Sequence, residues 1–355
     1  MTSSAAEPIR VGLLGYGVAG AVFHAPLLAA DPRFRLDAVV TASPKRQQQV
    51  RVEHPDTRVL DTPEQLWASA GELDLAVVAT PNRSHVELTS AALDVGLGVV
   101  VDKPFTPTAA EGRNLIERAR SAGRLLTVFQ NRRWDNDFRT LRALLERDAL
   151  GAVRRFESRF ERWVPTAKPG WRERGGPDEA GGVLNDLGSH LVDQALTLFG
   201  PVASVYAESD RRRSGVEVDD DTFVALTHVN GVRSHLWTSK VAPRFGPRMR
   251  VLGDRAAFTK HGLDPQEAAL RAGGRPGDLG WGEEPGELWG TLGAGDEVET
   301  IASDPGCYEV FYAELADAVR AGTPPPVDPE ESVAGLVVLE AARRSAESGE
   351  VQHLR

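Results

Sequence analysis

The sequence predicts an α/β protein of two parts. A doubly wound parallel sheet comes first, followed by a domain built on a mainly antiparallel sheet. Three observations carry this. Short apolar strands alternate with helical stretches through residue 130, and that alternation makes parallel strands with helical crossovers. From Ala152 onward, strand-like runs follow one another directly, as in antiparallel sheets. The chain has 355 residues, 41% hydrophobic and 26% charged, enough for two cores at ~150 residues per domain. We divide it into 1–130, 131–327 and a closing segment, 328–355, whose helix is expected to pack back on the first domain.

Ile9 to Leu14 reads as the first strand. It runs into Gly15-Tyr16-Gly17-Val18-Ala19-Gly20, and helical sequence follows through Ala30. In a G-x-G-x-x-G turn two glycines let the backbone turn tightly and approach a pyrophosphate, and the third lets helix and strand pack closely. The helix start adds amide hydrogens and positive dipole. Strand before and helix after are the context that separates a dinucleotide loop from an ordinary glycine turn. Gly15, Tyr16, Gly17, Val18 and Gly20 are therefore candidate cofactor residues.

Leu36 to Thr41 is the second strand. An acid about twenty residues past the glycines usually holds the ribose 2′-hydroxyl. None occurs between Asp37 and Glu53, and Asp37 lies at the wrong end of the strand. The strand is followed instead by Thr41-Ala42-Ser43-Pro44-Lys45-Arg46. Ser43, Lys45 and Arg46 suit a 2′-phosphate, so NADP is expected over NAD, with NAD still usable; a solvated loop would carry the same residues.

Thr62-Pro63 opens a helix, with Thr62 as N-cap. Leu75 to Ala79 is a buried strand ending at Thr80-Pro81-Asn82, and Ser84-His85-Val86-Glu87 reads as a capping box. Thr80, Pro81, Asn82 and His85 join the cofactor candidates, with a structural role near the helix start as the competing reading of His85. Val99-Val100-Val101 is a β-branched strand that ends at Asp102-Lys103-Pro104, because proline has no amide hydrogen for a ladder. Asp102 and Lys103 thus stand at a strand's carboxyl end, where open α/β sheets bind ligands. Thr108 to Glu111 is a second capping box, Gly123 ends that helix, and Leu125 to Phe129 is a further strand.

In the second part, residues 153–163, 202–209, 222–229, 232–239 and 248–259 read as strands, with Asn230-Gly231 a hairpin signal. Residues 262–306 read as mostly loop, and Pro324-Pro325-Pro326 breaks the chain before a final helix, Pro329 to Ser348. The informative stretch is residues 181–193, G-G-V-L-N-D-L-G-S-H-L-V-D. Leu184, Leu187, Leu191, Ala195 and Leu198 form the core face of a helix. Asp186, His190 and Asp193 fall on the opposite face, within about 60° of one another. Residues 183–199 contain no Lys, Arg or Glu, so this face suits the wall of a cleft better than a solvated surface. One His with two Asp is a poor zinc set, so no metal is expected. Acid–base work by His190 on a hydroxyl fits better.

The net charge of −10 argues against nucleic-acid or anionic-membrane partners. The single Cys307 excludes an intrachain disulfide. There is neither a basic patch nor an apolar run at the N-terminus, and no stretch of ~20 apolar residues occurs, so a cytoplasmic protein is expected.

With these motifs in hand, nearly the whole chain resembles the glucose–fructose oxidoreductase / inositol dehydrogenase (Gfo/Idh/MocA) family. The resemblance rests on G-Y-G-V-A-G at 15–20, A-T-P-N at 79–82, D-K-P at 102–104 and the 181–193 stretch. The family's lysine motif is usually E-K-P, so Asp102 departs from it by one methylene. F-H-A-P at 23–26, N-R-R-W-D at 131–135 and G-L-D-P-Q-E at 262–267 are similar to a branch that includes NADP-dependent scyllo-inositol dehydrogenases. The resemblance implies a Rossmann domain plus an α/β domain with a large open sheet, and a homodimer or homotetramer assembled through that sheet. It implies hydride transfer between nicotinamide and a secondary alcohol of a polyol or sugar. Lys103, Asp186 and His190 are the matched catalytic positions. On this reading His190 takes the hydroxyl proton, Lys103 stabilises the oxygen, and Asp186 orients the substrate and favours charged His190. Trp134, Trp163, Trp171, Arg172 and Tyr308 are candidates for the substrate pocket or for packing. Two other functions fit the same motifs: an NAD-dependent glycosidase using transient sugar oxidation, and a non-catalytic nucleotide-sensing regulator.

Overall fold

The computed structural model describes residues 7–167, 175 and 181–354. The first sheet contains β1 (Ile9–Leu14), β2 (Phe34–Val40), β3 (Arg58–Leu60), β4 (Leu75–Val78), β5 (Gly98–Asp102) and β6 (Leu126–Phe129). All pairings are parallel, in the order β3-β2-β1-β4-β5-β6. The chain therefore reverses its winding between β1 and β4, which opens a crevice at the strands' carboxyl ends. Alternate residues feed opposite faces. Val11, Leu13, Val77 and Val100 enter one apolar cluster, and Leu14, Val78, Val99 and Val101 the other.

Helices α1 (Ala25–Ala30), α2 (Pro44–Glu53), α3 (Pro63–Trp67), α4 (His85–Asp94) and α5 (Ala109–Ala122) connect these strands. A π-helical turn, Ala19–His24, leads into α1. The capping boxes at Thr62 and Thr108 both form, and Gly123 closes α5 at φ +61°. The expected box at Ser84 does not form. Ser84 stands at the N-cap of α4, but its hydroxyl is engaged with Thr80 Oγ1 and Pro81 O, both at 2.8 Å. It ties down the preceding loop instead.

After α6 (Asn136–Glu146) the chain builds a nine-stranded sheet from β7 (Arg155–Glu161), β8 (Val202–Asp210), β9 (Asp221–His228), β10 (Arg233–Ser239), β11 (Met249–Leu252), β12 (Ala257–Lys260), β13 (Gly290–Ala294), β14 (Glu297–Ile301) and β15 (Gln352–His353). It is antiparallel except where β7 runs parallel to β10. One expectation fails here. The run 248–259 is a hairpin, β11–β12, because the chain reverses at Gly253, where a Cβ would lie 1.9 Å from Leu150 O. Residues 262–306 are mostly loop, as expected, but they also hold α8 (Gln266–Arg271) and the edge hairpin β13–β14. Helix α7 (Ser189–Phe199), entered through a π-helical turn at Leu184–Gly188, packs on this sheet.

Helix α9 (Glu309–Ala321) has no counterpart in the sequence reading, although Phe311, Tyr312 and Leu315 carry a helical repeat that buries against the first sheet. The final helix, α10 (Pro329–Ser348), begins at an Asp328 N-cap. It packs on α5 and β6 of the first part and on α7 and β8 of the second. A Cβ at Gly112 of α5 would lie 2.9 Å from Val333 Cγ2, so glycine there admits the close helix approach. The sheet's other face carries Phe223, His235 and Trp237 in a ring cluster, with the Arg159 guanidinium 3.9 Å over Trp237.

Candidate active site

The carboxyl ends of the first sheet and the turn before α7 enclose a cleft of about 440 Å³. Its floor is the glycine loop. Gly15 has φ +95°, and a Cβ there would lie 2.6 Å from Ala79 O. A Cβ on Gly20 would lie 2.1 Å from Gly15 O, so this glycine lets the helix pack against the loop. At Gly17 the nearest atom to a Cβ would be Arg46 Nη2, 3.9 Å away. Gly17 thus leaves its backbone uncovered at the cleft, and the exposed Val18 lines it alongside. A loop shaped this way fits a dinucleotide's phosphates. Tyr16 corrects the sequence reading: its ring is buried beneath the loop and its hydroxyl donates to Glu53 at 2.6 Å.

At the end of β2 the rim is formed by Thr41, Ala42 and Arg46. Of the three residues expected to meet a 2′-phosphate, only Arg46 lines the cleft. Ser43 caps α2 without a side-chain bond, and Lys45 is exposed outside the lining. Adjacent helical positions point about 100° apart, which separates Lys45 from Arg46. A residue missed from sequence, Asp61, lines the same rim from the end of β3.

Thr80, Pro81 and Asn82 line the wall after β4. His85 does not. It is wholly buried, with Nε2 3.0 Å from Thr80 O and Nδ1 3.0 Å from Pro104 O. It clamps the loops after β4 and β5 together from behind, so the structural reading of His85 holds. Asp102 faces the cleft and accepts from the Lys103 amide at 2.9 Å. Behind it His24, wholly buried, places Nε2 3.9 Å from Asp102 Oδ1 and Nδ1 2.7 Å from the Tyr312 hydroxyl. Burial holds the His24 pKa down at about 4, against the pull of Asp102.

Lys103 and Asp186 meet across the cleft. The Lys103 ammonium donates to Asp186 O at 2.6 Å and to Asp186 Oδ1 at 3.0 Å. His190 follows one turn later in α7, only 5% exposed, and its Nδ1 has no hydrogen-bond partner among the described residues. Burial pushes its pKa well below 6.5, and the cations Lys103, Arg132, Arg248 and Arg162 push the same way. This corrects the expectation that Asp186 favours a charged His190: the neighbourhood is cationic and the imidazole is neutral near pH 7. The three arginines were missed because they come from separate segments; Phe160 gathers their guanidiniums, at 4.9 Å (Arg132), 5.1 Å (Arg162) and 5.7 Å (Arg248) from its ring.

The third polar residue of that stretch, Asp193, lies outside the cleft lining, as does His190. Asp193 accepts two bonds from Arg133, at 2.7 and 2.9 Å, and Arg133 also holds Glu331 of α10 at 2.6 Å. Trp134 is a core residue, edge-on to Phe311 at 5.6 Å. Tyr308 is wholly buried and donates to Asp135 at 2.7 Å. Trp163 is 51% exposed beside Val241, outside the cleft lining. None of these three faces the cleft; each is packed or exposed elsewhere. Trp171 and Arg172 lie outside the described residues. Among the described residues no group of three or more His, Cys, Asp or Glu could hold a metal ion, and no helix is long and apolar enough to cross a membrane.

Two family models match the chain: "Oxidoreductase family, NAD-binding Rossmann fold" over residues 9–130, and "Oxidoreductase family, C-terminal alpha/beta domain" over 142–353. The chain is 36% identical to the scyllo-inositol 2-dehydrogenase (NADP(+)) IolW of Bacillus subtilis, across 96% of this chain and 94% of that protein. It is 40% identical to the oxidoreductase YdgJ of Escherichia coli, across 96% and 97% of the two chains. Among solved structures, the oxidoreductase YvaA of Bacillus subtilis superposes with a TM-score of 0.93 at 36% identity, covering 98% of this chain and 99% of that one.

Proposed function

The chain belongs to the Gfo/Idh/MocA oxidoreductase family, and from that premise we propose that it moves hydride between a nicotinamide cofactor, NADP(H) before NAD(H), and a secondary alcohol on an inositol-like polyol or sugar. The observation that carries this reading is the Lys103–Asp186 contact at 2.6 and 3.0 Å on the wall of the cleft whose floor is the glycine loop, with His190 one turn further. The similarity to an NADP-dependent scyllo-inositol 2-dehydrogenase supports the substrate class and the cofactor.

When bound, the nicotinamide supplies the hydride acceptor or donor. The chain's own residues do the rest. Backbone amides of the glycine loop hold phosphate, and Arg46 attracts a further phosphate at the β2 rim. Lys103 donates to the reacting oxygen and stabilises negative charge as it develops there. Asp186 holds the ammonium in place and orients neighbouring hydroxyls. His190 is neutral near pH 7 because of burial and the nearby cations, so it is ready to take the hydroxyl proton on oxidation and return it on reduction. The open face bearing Phe223, His235 and Trp237 supports a homo-oligomer through the second sheet; light scattering should give a dimer or tetramer, and a monomer would remove that part.

The test is a screen of polyols and sugars with each cofactor, followed by absorbance of the reduced nicotinamide. Turnover of a cyclic polyol or sugar with NADP is expected. Absence of turnover with every polyhydroxy compound, in protein that binds dinucleotide, would reject the reading.

A further inference from the structure

The second strand ends without an acid, yet the cleft is not without one. Strand β3 lies beside β2 with Val40 opposite Leu60, and the Thr41 amide donates to Leu60 O at 2.9 Å. Asp61 therefore stands level with Thr41, one strand over from the end of β2, on the same rim of the cleft. Gln47 joins the two strand ends: its Nε2 donates to Thr41 O at 2.9 Å and to Asp61 Oδ1 at 2.5 Å. The Asp61 amide in turn donates to Gln65 Oε1 at 2.8 Å. Two glutamines thus fix backbone and carboxylate of a residue that is otherwise exposed on the cleft rim.

We propose that Asp61 does the work of the absent second-strand acid, accepting hydrogen bonds from the adenosine ribose, and that Asp61 and Arg46 together set the preference between NADP and NAD. This rests on the reading of the cleft as a dinucleotide site. Arg46 lines the same rim, with Nη2 3.9 Å from the position of a Cβ on Gly17. A guanidinium grips a 2′-phosphate through parallel hydrogen bonds. A carboxylate accepts from free hydroxyls and repels that phosphate. Opposed groups on one rim give a site that takes both cofactors, with a preference smaller than Arg46 alone would confer.

The test is equilibrium binding of NADPH and NADH by nicotinamide fluorescence, with 2′,5′-ADP and 5′-AMP as competing fragments. Asp61→Asn removes the charge and keeps an acceptor for Gln47. It should tighten NADPH and 2′,5′-ADP and weaken NADH, moving the ratio of dissociation constants about tenfold toward NADPH, the size of one charge-assisted contact at an exposed rim. Arg46→Ala should move the ratio the other way. Equal effects of Asp61→Asn on both dinucleotides, or none, would overturn the proposal and reduce Asp61 to a strand-end tie. If the unaltered protein bound neither dinucleotide, the reading of the cleft would fall, and the proposal with it.

Discussion

Replacing Lys103 by methionine tests the site most sharply, because the unbranched stem is kept as far as Cε and the ammonium is lost with its charge and donors. The ammonium makes two contacts to Asp186, at 2.6 and 3.0 Å, with the two side chains 16% and 23% exposed. Leaving that carboxylate without its cation costs less than the ~3–5 kcal/mol of a fully buried pair, because water reaches it; about 1–2 kcal/mol of stability is expected. The catalytic effect should be larger. One charge-assisted donor to a developing alkoxide is worth about 3–4 kcal/mol, so kcat should fall ~100- to 1,000-fold. Lys103 also depresses the His190 pKa, so the residual activity should show its acid limb at higher pH than the unaltered enzyme. Steady-state kinetics across pH, cofactor binding by fluorescence and urea unfolding separate these effects. A folded variant with kcat within a few-fold of the original, or one whose loss is wholly a loss of cofactor binding, would refute the catalytic role.

Two further outcomes follow from buried histidines. The His190 pKa lies well below 6.5, so kcat/KM for oxidation should be flat from pH 6.5 to 8 and fall only in more acid solution. His190→Asn should be slower and should lack that limb, and a limb centred at or above pH 6.5 would place the base elsewhere. His24 has a folded pKa of about 4 against an ordinary 6.5. The unfolded chain therefore binds more protons in that window, and stability is lost as pH falls from about 6.5 toward 4. From pH 7 to 5 this one group contributes a loss of about 2 kcal/mol. His24→Gln should show a shallower acid dependence in urea unfolding, and parallel curves would contradict it.

Much of the architecture was legible because local signals and tertiary needs agree. Ile9–Leu14 and the glycine loop occur where the pattern puts them, and the final helix runs from an Asp328 cap to Ser348. The edge hairpin β13–β14 was not legible because Glu297–Ile301 buries almost nothing and leaves little apolar alternation to read. Helix α9 did carry a repeat, in Phe311, Tyr312 and Leu315. At the site, Lys103, Asp186 and the neighbourhood of His190 could be proposed from strand ends and helical spacing. Asp193 looked equivalent to Asp186, but spacing cannot show that Arg133 arrives from another segment to neutralise it. Asp61 escaped because a three-residue strand precedes it, and only the sheet order brings it level with Thr41. Trp134 and Tyr308 were plausible from side-chain type alone, and burial assigns them to packing.

The central claim is that hydride leaves a carbinol carbon in this cleft and stays on the cofactor. The most direct measurement uses a polyol deuterated at that carbon, with oxidised NADP and the unaltered enzyme, and mass analysis of the cofactor after turnover. The account predicts one deuterium in each reduced cofactor formed, in step with ketone product, and a rate that collapses in the Lys103→Met variant. Product formed with no deuterium in the cofactor, or release of a sugar's leaving group with no net reduced cofactor, would contradict it.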